Sequence, residues 1–134
     1  VELYAATDVF DTDWCARLTY VDEDGRSIRI ADGIRRAKYR ESFEKAKLLE
    51  PGAIEEYAIN LTYAAVAIPK GYRLRVEIFS SMYGLYFPND NTGEDPAYET
   101  SYKIANQKIH HTRSYPSSIS IDVLKLSKGE GNGK

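Results

Sequence analysis

His110 and His111 are the only histidines in the chain. Any imidazole-based proton relay, nucleophilic triad or metal site would have to be built on them. A triad needs Ser, His and a carboxylate brought together in space. The G-x-S-x-G elbow that exposes the serine of an α/β-hydrolase occurs nowhere in the sequence. Neighbouring residues of a strand point to opposite faces, so these two histidines are not expected to share one metal ion. One should pack and the other meet solvent. A cupin-type site would want two histidines one residue apart, and that spacing is missing. We therefore expect no catalytic residue, no metal ligand and no cofactor site in this chain.

The second candidate for chemistry is "YGLYFPNDNTGEDPAYE", residues 83–99. It crowds aromatics, carboxylates and amides among turn formers. An EF-hand loop needs Gly at position 6 and Glu at position 12. Counted from Asn89, Asn91 fills position 3, but Gly93 falls at position 5 and Thr100 at position 12. The register fails, and an irregular calcium site on Asp90, Glu94 or Asp95 has little behind it. Tyr83, Tyr86, Phe87 and Tyr98 offer ring faces for a sugar or another protein, yet aromatics also cap small domains by packing alone. Asn89, Asn91 and Gly93 read as turn formers whose side chains bond their own backbone. Asn60-Leu61-Thr62 is a glycosylation sequon, but its surroundings place it inside a strand, which argues against its use.

The elements that must hold this segment read as strands. In "TDWCARLTYV" Trp14, Ala16, Leu18 and Tyr20 alternate with Cys15, Arg17, Thr19 and Val21, the period of a strand. "DEDG", 22–25, is a turn, and "SIRIA" completes a hairpin. "VELYA" reads as a strand already under way, which marks the chain as a fragment of something longer. "IEEYAINLTYAAVAI" sets Tyr57, Ile59, Leu61 and Tyr63 on one face. "PKG", 69–71, turns the chain into a strand alternating Leu74, Val76 and Ile78 with Arg73, Arg75 and Glu77. "SSISIDVL" gives a last strand. Residues 33–40 read as a separate, edge-like strand opened by Asp32-Gly33. Tyr39, Phe43 and Ala46 have helical spacing, so a turn or short helix is expected before "EPG".

With 134 residues and a formal charge of −2, the chain suits one domain with its own core. Nothing resembles a basic footprint for nucleic acid, and no apolar run nears the roughly 18 residues that span a bilayer. Cys15 is the lone cysteine, so no internal disulfide can form, which suits a reducing, cytoplasmic compartment. The expected fold is all-β, a jelly-roll sandwich of mostly antiparallel strands over 1–126, with 127–134 a flexible tail.

Four phrases together carry a resemblance: "DTDWCARLTYVDEDGRSIRIADGIRRAKYRES", "LLEPGAIEEYAINL", "IPKGYRLRVEIFSSMYGLYFPNDNTG" and "IHHTRSYPSSISIDVL". In order and spacing they resemble the C-terminal domain of X-Pro dipeptidyl-peptidase-like serine hydrolases, a group that includes cocaine-esterase-like acyl esterases, α-amino-acid ester hydrolases and glutaryl-type acylases. The resemblance runs from about Val1 to about Leu124. It implies a galactose-binding-like jelly roll without catalytic residues. It also implies partners, an α/β-hydrolase catalytic domain and its helical cap, which would carry the triad. His110 and His111 fall on a stretch that is not the catalytic histidine. The family's jelly roll begins before Val1, so open strand edges are expected to favour pairing between copies of the chain. Tyr83, Tyr86 and Phe87 are the residues expected to face the cleft or a neighbouring domain. The alternative is a stand-alone ligand- or carbohydrate-binding sandwich.

Overall fold

The computed structural model describes residues 1–124, so the expected domain end at 126 and the tail at 127–134 lie outside the described residues. Six strands form two three-stranded antiparallel sheets: β1 (Glu2–Thr7), β2 (Asp13–Val21), β3 (Ser27–Arg36), β4 (Glu55–Ala58), β5 (Arg73–Phe79) and β6 (Gln107–His110). The sheet orders are β4-β1-β6 and β3-β2-β5. This is the all-β sandwich expected from the alternation.

The two sheets meet over the apolar faces that the alternation marks out. Leu3, Ala5 and Tyr57 from one sheet and Trp14 and Ala16 from the other form the core, joined by Ala37, Leu49 and Ile59. Trp14 and Tyr57 meet ring to ring, 5.6 Å between centroids and 45° apart. Tilted pairs of this kind add about 0.5–1.5 kcal/mol beyond the area they bury. β2 is the central strand of its sheet and is buried on both sides, so Cys15 is as inaccessible as Trp14. Burial pushes the Cys15 thiol up to about 12. On the outer face Arg17 donates from Nε to Asp32 at 2.6 Å, and Arg29 reaches the same carboxylate at 2.9 Å. Charges on this face thus pair across neighbouring strands.

The sheet differs from the sequence reading in four places, each for a local reason. First, residues 33–40 are not a separate strand. β3 runs unbroken from Ser27 to Arg36, because the register shifts between Leu18 and Thr19, leaving Ile30 unmatched. Such a bulge bends and twists a strand without ending it. Gly33 is mid-strand for a different reason: a Cβ there would strike the backbone carbonyl of Asn60. The strand then closes in a single 3-10 turn, Ala37–Tyr39. Second, the turn or short helix expected before "EPG" is this 3-10 turn alone; it includes Tyr39 but not Phe43 or Ala46, and 40–46 is bends and coil.

Third, the strand expected through 54–68 ends at Ala58. Ile59 and Val1 exchange backbone hydrogen bonds at 2.8 and 2.9 Å, and three residues later the Thr62 N–H donates to Asp32 at 2.8 Å. The chain is crossing from one sheet to the other, so neither ladder can hold it. Asn60-Leu61-Thr62 therefore lies on this crossing and not within a strand. Fourth, "SSISIDVL" forms no ladder. Ser118 exchanges hydrogen bonds with Glu2 at 2.9 and 2.8 Å. The antiparallel register then sets residue 119 opposite Val1, and 119–124 join no strand among the described residues.

Candidate domain-docking face

The segment after β5 is irregular, yet it is pinned to the sandwich by charge. Its anchor is Asn89. The Asn89 side-chain amide donates to Asp11 Oδ2 at 3.1 Å and to Asp13 Oδ1 at 2.9 Å, while its Oδ1 accepts the Asn91 N–H at 2.8 Å. The last bond is the local turn expected of this residue. The first two reach back 78 and 76 residues, to the β1–β2 connection and to the first residue of β2. Asn91 sits at φ 61°, a left-handed position that asparagine tolerates, and its amide donates to Lys103 O at 2.8 Å.

Asp11 and Lys38 are both buried below the surface. Lys38 N–H donates to Asp11 Oδ1 at 2.8 Å, and the ammonium stands 3.8 Å from Oδ2. The same ammonium donates to the carbonyls of Gly93 and Glu94 at 3.2 and 3.0 Å. A buried charge persists only where partners replace its water, and here those partners are the backbone of the loop. Desolvation outweighs these bonds at Asp11 and raises its pKa. Arg36 completes the cluster. It forks onto Asp13, Nε to Oδ1 at 3.0 Å and Nη2 to Oδ2 at 3.2 Å, and the Nη2 also reaches Phe87 O at 3.5 Å.

The latch leaves aromatic rings standing on the surface. Tyr83 is 88% exposed and Phe87 70% exposed. Tyr86 and Phe87 line an open groove of about 270 Å³ with Ile34, Arg35, Tyr39 and Phe43. Tyr83 and Tyr98 do not line it. Of the aromatics singled out in the sequence, two converge and two stand apart. The residues missed by sequence reasoning are Asp11, Asp13, Arg36 and Lys38, which hold the loop, and Arg35 and Phe43, which build the opposite wall. The "DTD" phrase was the available signal: two acids flanking a Thr ahead of a strand are hard to bury without cations nearby.

His110 closes β6 and His111 lies just past it, and as expected one packs and the other meets solvent. His110 is half-buried against Tyr115, 5.7 Å between rings, and His111 is exposed. Among the described residues no cluster of three or more His, Cys, Asp or Glu is disposed to hold a metal ion. No helix among them is long and apolar enough to cross a membrane.

The chain is 35% identical over 125 residues to cocaine esterase of Rhodococcus sp. (strain MB1 Bresler), covering 92% of this chain and 22% of that protein. Its fold matches a crystal structure of an aminopeptidase from a marine sediment archaeon, Thaumarchaeota archaeon, with TM-score 0.77 and 30% identity. It likewise matches an α-amino acid ester hydrolase, with TM-score 0.78 and 26% identity. Each structural match covers 86% of this chain and 21% of the other, so the chain spans about a fifth of the length of these relatives. The profile described as the X-Pro dipeptidyl-peptidase C-terminal non-catalytic domain matches residues 1–120, and the chain belongs to that family.

Proposed function

We propose that this chain is the C-terminal accessory domain of a larger serine hydrolase, an acyl esterase, acylase or X-Pro peptidase. It braces an α/β-hydrolase domain and its helical cap, and the triad lies on those parts. Tyr83, Tyr86 and Phe87 face the cleft or its neighbouring wall. The observation that carries this reading is a set of exposed rings on a loop that is held down by buried charges. Ordering a loop costs about 1–2 kcal/mol per residue in backbone entropy, an expense that makes sense where a surface must be presented in one shape. The lone buried Cys15 is in keeping with a reducing, cytoplasmic setting.

The test is direct. The purified chain should not hydrolyse a p-nitrophenyl ester or an X-Pro anilide. Turnover that stays with the protein through purification and vanishes on substituting one of its residues would defeat the proposal. A second reading, a carbohydrate-binding module, draws on the same rings. It is less well supported, because the acid beside them, Asp13, is already taken by Arg36 and Asn89. Pairing between copies is a further element of the proposal. Among the described residues β5 pairs with β2 alone, and its Leu74 and Val76 are uncovered. A monomeric mass by light scattering at high concentration would remove it.

A further inference from the structure

We propose that the groove between Phe43 and Phe87 is a docking slot for a carboxylate-bearing, apolar segment of the larger hydrolase, with Arg35 as the anchor. This rests on the accessory-domain reading and names the chemistry of its contact.

The groove has three charged lining residues, Asp13, Arg35 and Arg36. Arg36 and Asp13 neutralise one another through their two-pronged contact. Arg35 is left as the surplus charge, a local inversion in a chain whose net charge is −2. Its Nε donates to Ala58 O at 2.9 Å, and its terminal nitrogens have no protein acceptor among the described residues. The guanidinium is not free to wander, because it lies 4.3 Å from the centre of the Phe43 ring. A planar fork fixed on an aromatic shelf with its outer donors unused matches a carboxylate, which accepts two parallel N–H bonds.

Size and exposure select a protein segment as the occupant. The groove, at about 270 Å³, falls just under the roughly 300–1,000 Å³ of pockets that enclose a small molecule. It has room for one or two side chains. Phe43 is 79% exposed, so both ends of the apolar lining face outward, as a surface-to-surface contact requires. The far wall is already set, since Arg36 reaches Phe87 O and Asn89 ties the following turn to Asp13. Docking therefore orders little that is not ordered beforehand, which favours affinity.

The probe is N-acetyl-L-phenylalanine, a carboxylate beside an aromatic side chain, and its control is the uncharged N-acetyl-L-phenylalanine amide. Both are titrated into the isotope-labelled 134-residue chain and followed by NMR. The carboxylate should give saturable shifts at Arg35, Phe43, Tyr86 and Phe87. The amide should bind about tenfold more weakly, the worth of one charge-assisted bond pair over neutral contact. Arg35→Gln should bring the carboxylate down to the amide's level while the β2 and β3 signals stay in place. Arg35→Lys, which keeps the charge and loses the fork, should fall between. Equal affinity for the two probes, shifts centred elsewhere, or no shifts at all would each overturn the proposal. None of these results depends on the hydrolysis assay, so the two readings fail separately.

Discussion

Removing the Asn89 side chain should cost more stability than neutralising the buried acid it holds. Asn89→Ala deletes two bonds to carboxylates, at 3.1 and 2.9 Å, together with the local turn at Asn91. Hydrogen bonds to charged groups contribute about 1.5–3 kcal/mol each, and water entering the loop returns part of that, so a loss of about 2–4 kcal/mol is expected. With a urea slope of about 1.5 kcal/mol per molar for a small domain, the midpoint should fall by about 1.3–2.7 M. Asp11→Asn keeps an acceptor for Lys38 N–H and lifts the desolvation that raises the Asp11 pKa. Its cost should stay under about 1 kcal/mol, because the amide oxygen still accepts the Lys38 N–H and the Lys38 ammonium keeps the carbonyls of Gly93 and Glu94 as acceptors. The two effects should also couple in the double variant by more than about 0.5 kcal/mol. The pH dependence supplies an independent check. Asp11 titrates above its ordinary 3.8 in the folded chain, so the native state holds a proton that the unfolded state has lost. Its contribution is full below 3.8 and declines as pH rises through the folded value. Asp11→Asn should remove that component from the wild-type curve. An Asn89→Ala loss under about 0.5 kcal/mol, or a greater loss in Asp11→Asn, would refute the latch as the force holding this loop.

Three further outcomes follow from the same structure. Gly33→Ala should fail to fold or lose more than about 3 kcal/mol, because its methyl group meets the Asn60 carbonyl and both backbones are fixed by hydrogen bonds; circular dichroism with thermal melting reads this. Cys15, buried and pushed up to about 12, should resist a disulfide-exchange reagent at pH 8 in the native chain and react fully in denaturant. Glu99 should titrate near 2 by NMR, because the Ser101 backbone N–H and hydroxyl, and after them the Thr100 N–H, bond its carboxylate. Its pKa is lowered from 4.5, so the turn it caps is held above 4.5 and released as pH falls through about 2.

The architecture was legible because alternation is a property of each strand alone. Trp14, Ala16, Leu3 and Tyr57 could be placed on a buried face before any pairing was known. The departures arise where one strand's fate depends on another. Whether residue 59 continues a ladder is decided by the crossing to Asp32, and whether Ser118 begins one is decided by what lies beside Val1. The continuity of β3 turned on a bulge at Leu18/Thr19 that has no marker in either sequence segment. The site was half legible for the same reason. Tyr86 and Phe87 stand out by type, whereas Arg35 and Phe43 matter only because the fold brings them to the same groove. Lys38 looked like one more surface cation, and its burial could not be read without knowing that the carbonyls of Gly93 and Glu94 come to meet it.

Two uncovered surfaces now differ in kind, and that difference bears on how the chain would meet its neighbours. One is the far end of the inner sheet face. Leu74 and Ile28 flank Tyr20, and Val76 sits beside Leu18. The same face buries Trp14 and Ala16 further along, but at this end Leu74, Ile28 and Val76 are left exposed. Nothing charged lies in that row, so contact there gains from apolar burial, about 25 cal/mol per Å², and is indifferent to salt. The other is the groove, where Arg35 carries the surplus charge at the surface. An exposed pair is screened over about 8 Å at physiological ionic strength and over about 3 Å at 1 M. Raising salt should therefore weaken contact at the groove while leaving contact at the open sheet end intact. Association between copies through β5 is of the salt-indifferent kind and docking through Arg35 of the salt-sensitive kind, so salt dependence separates the two events in one preparation.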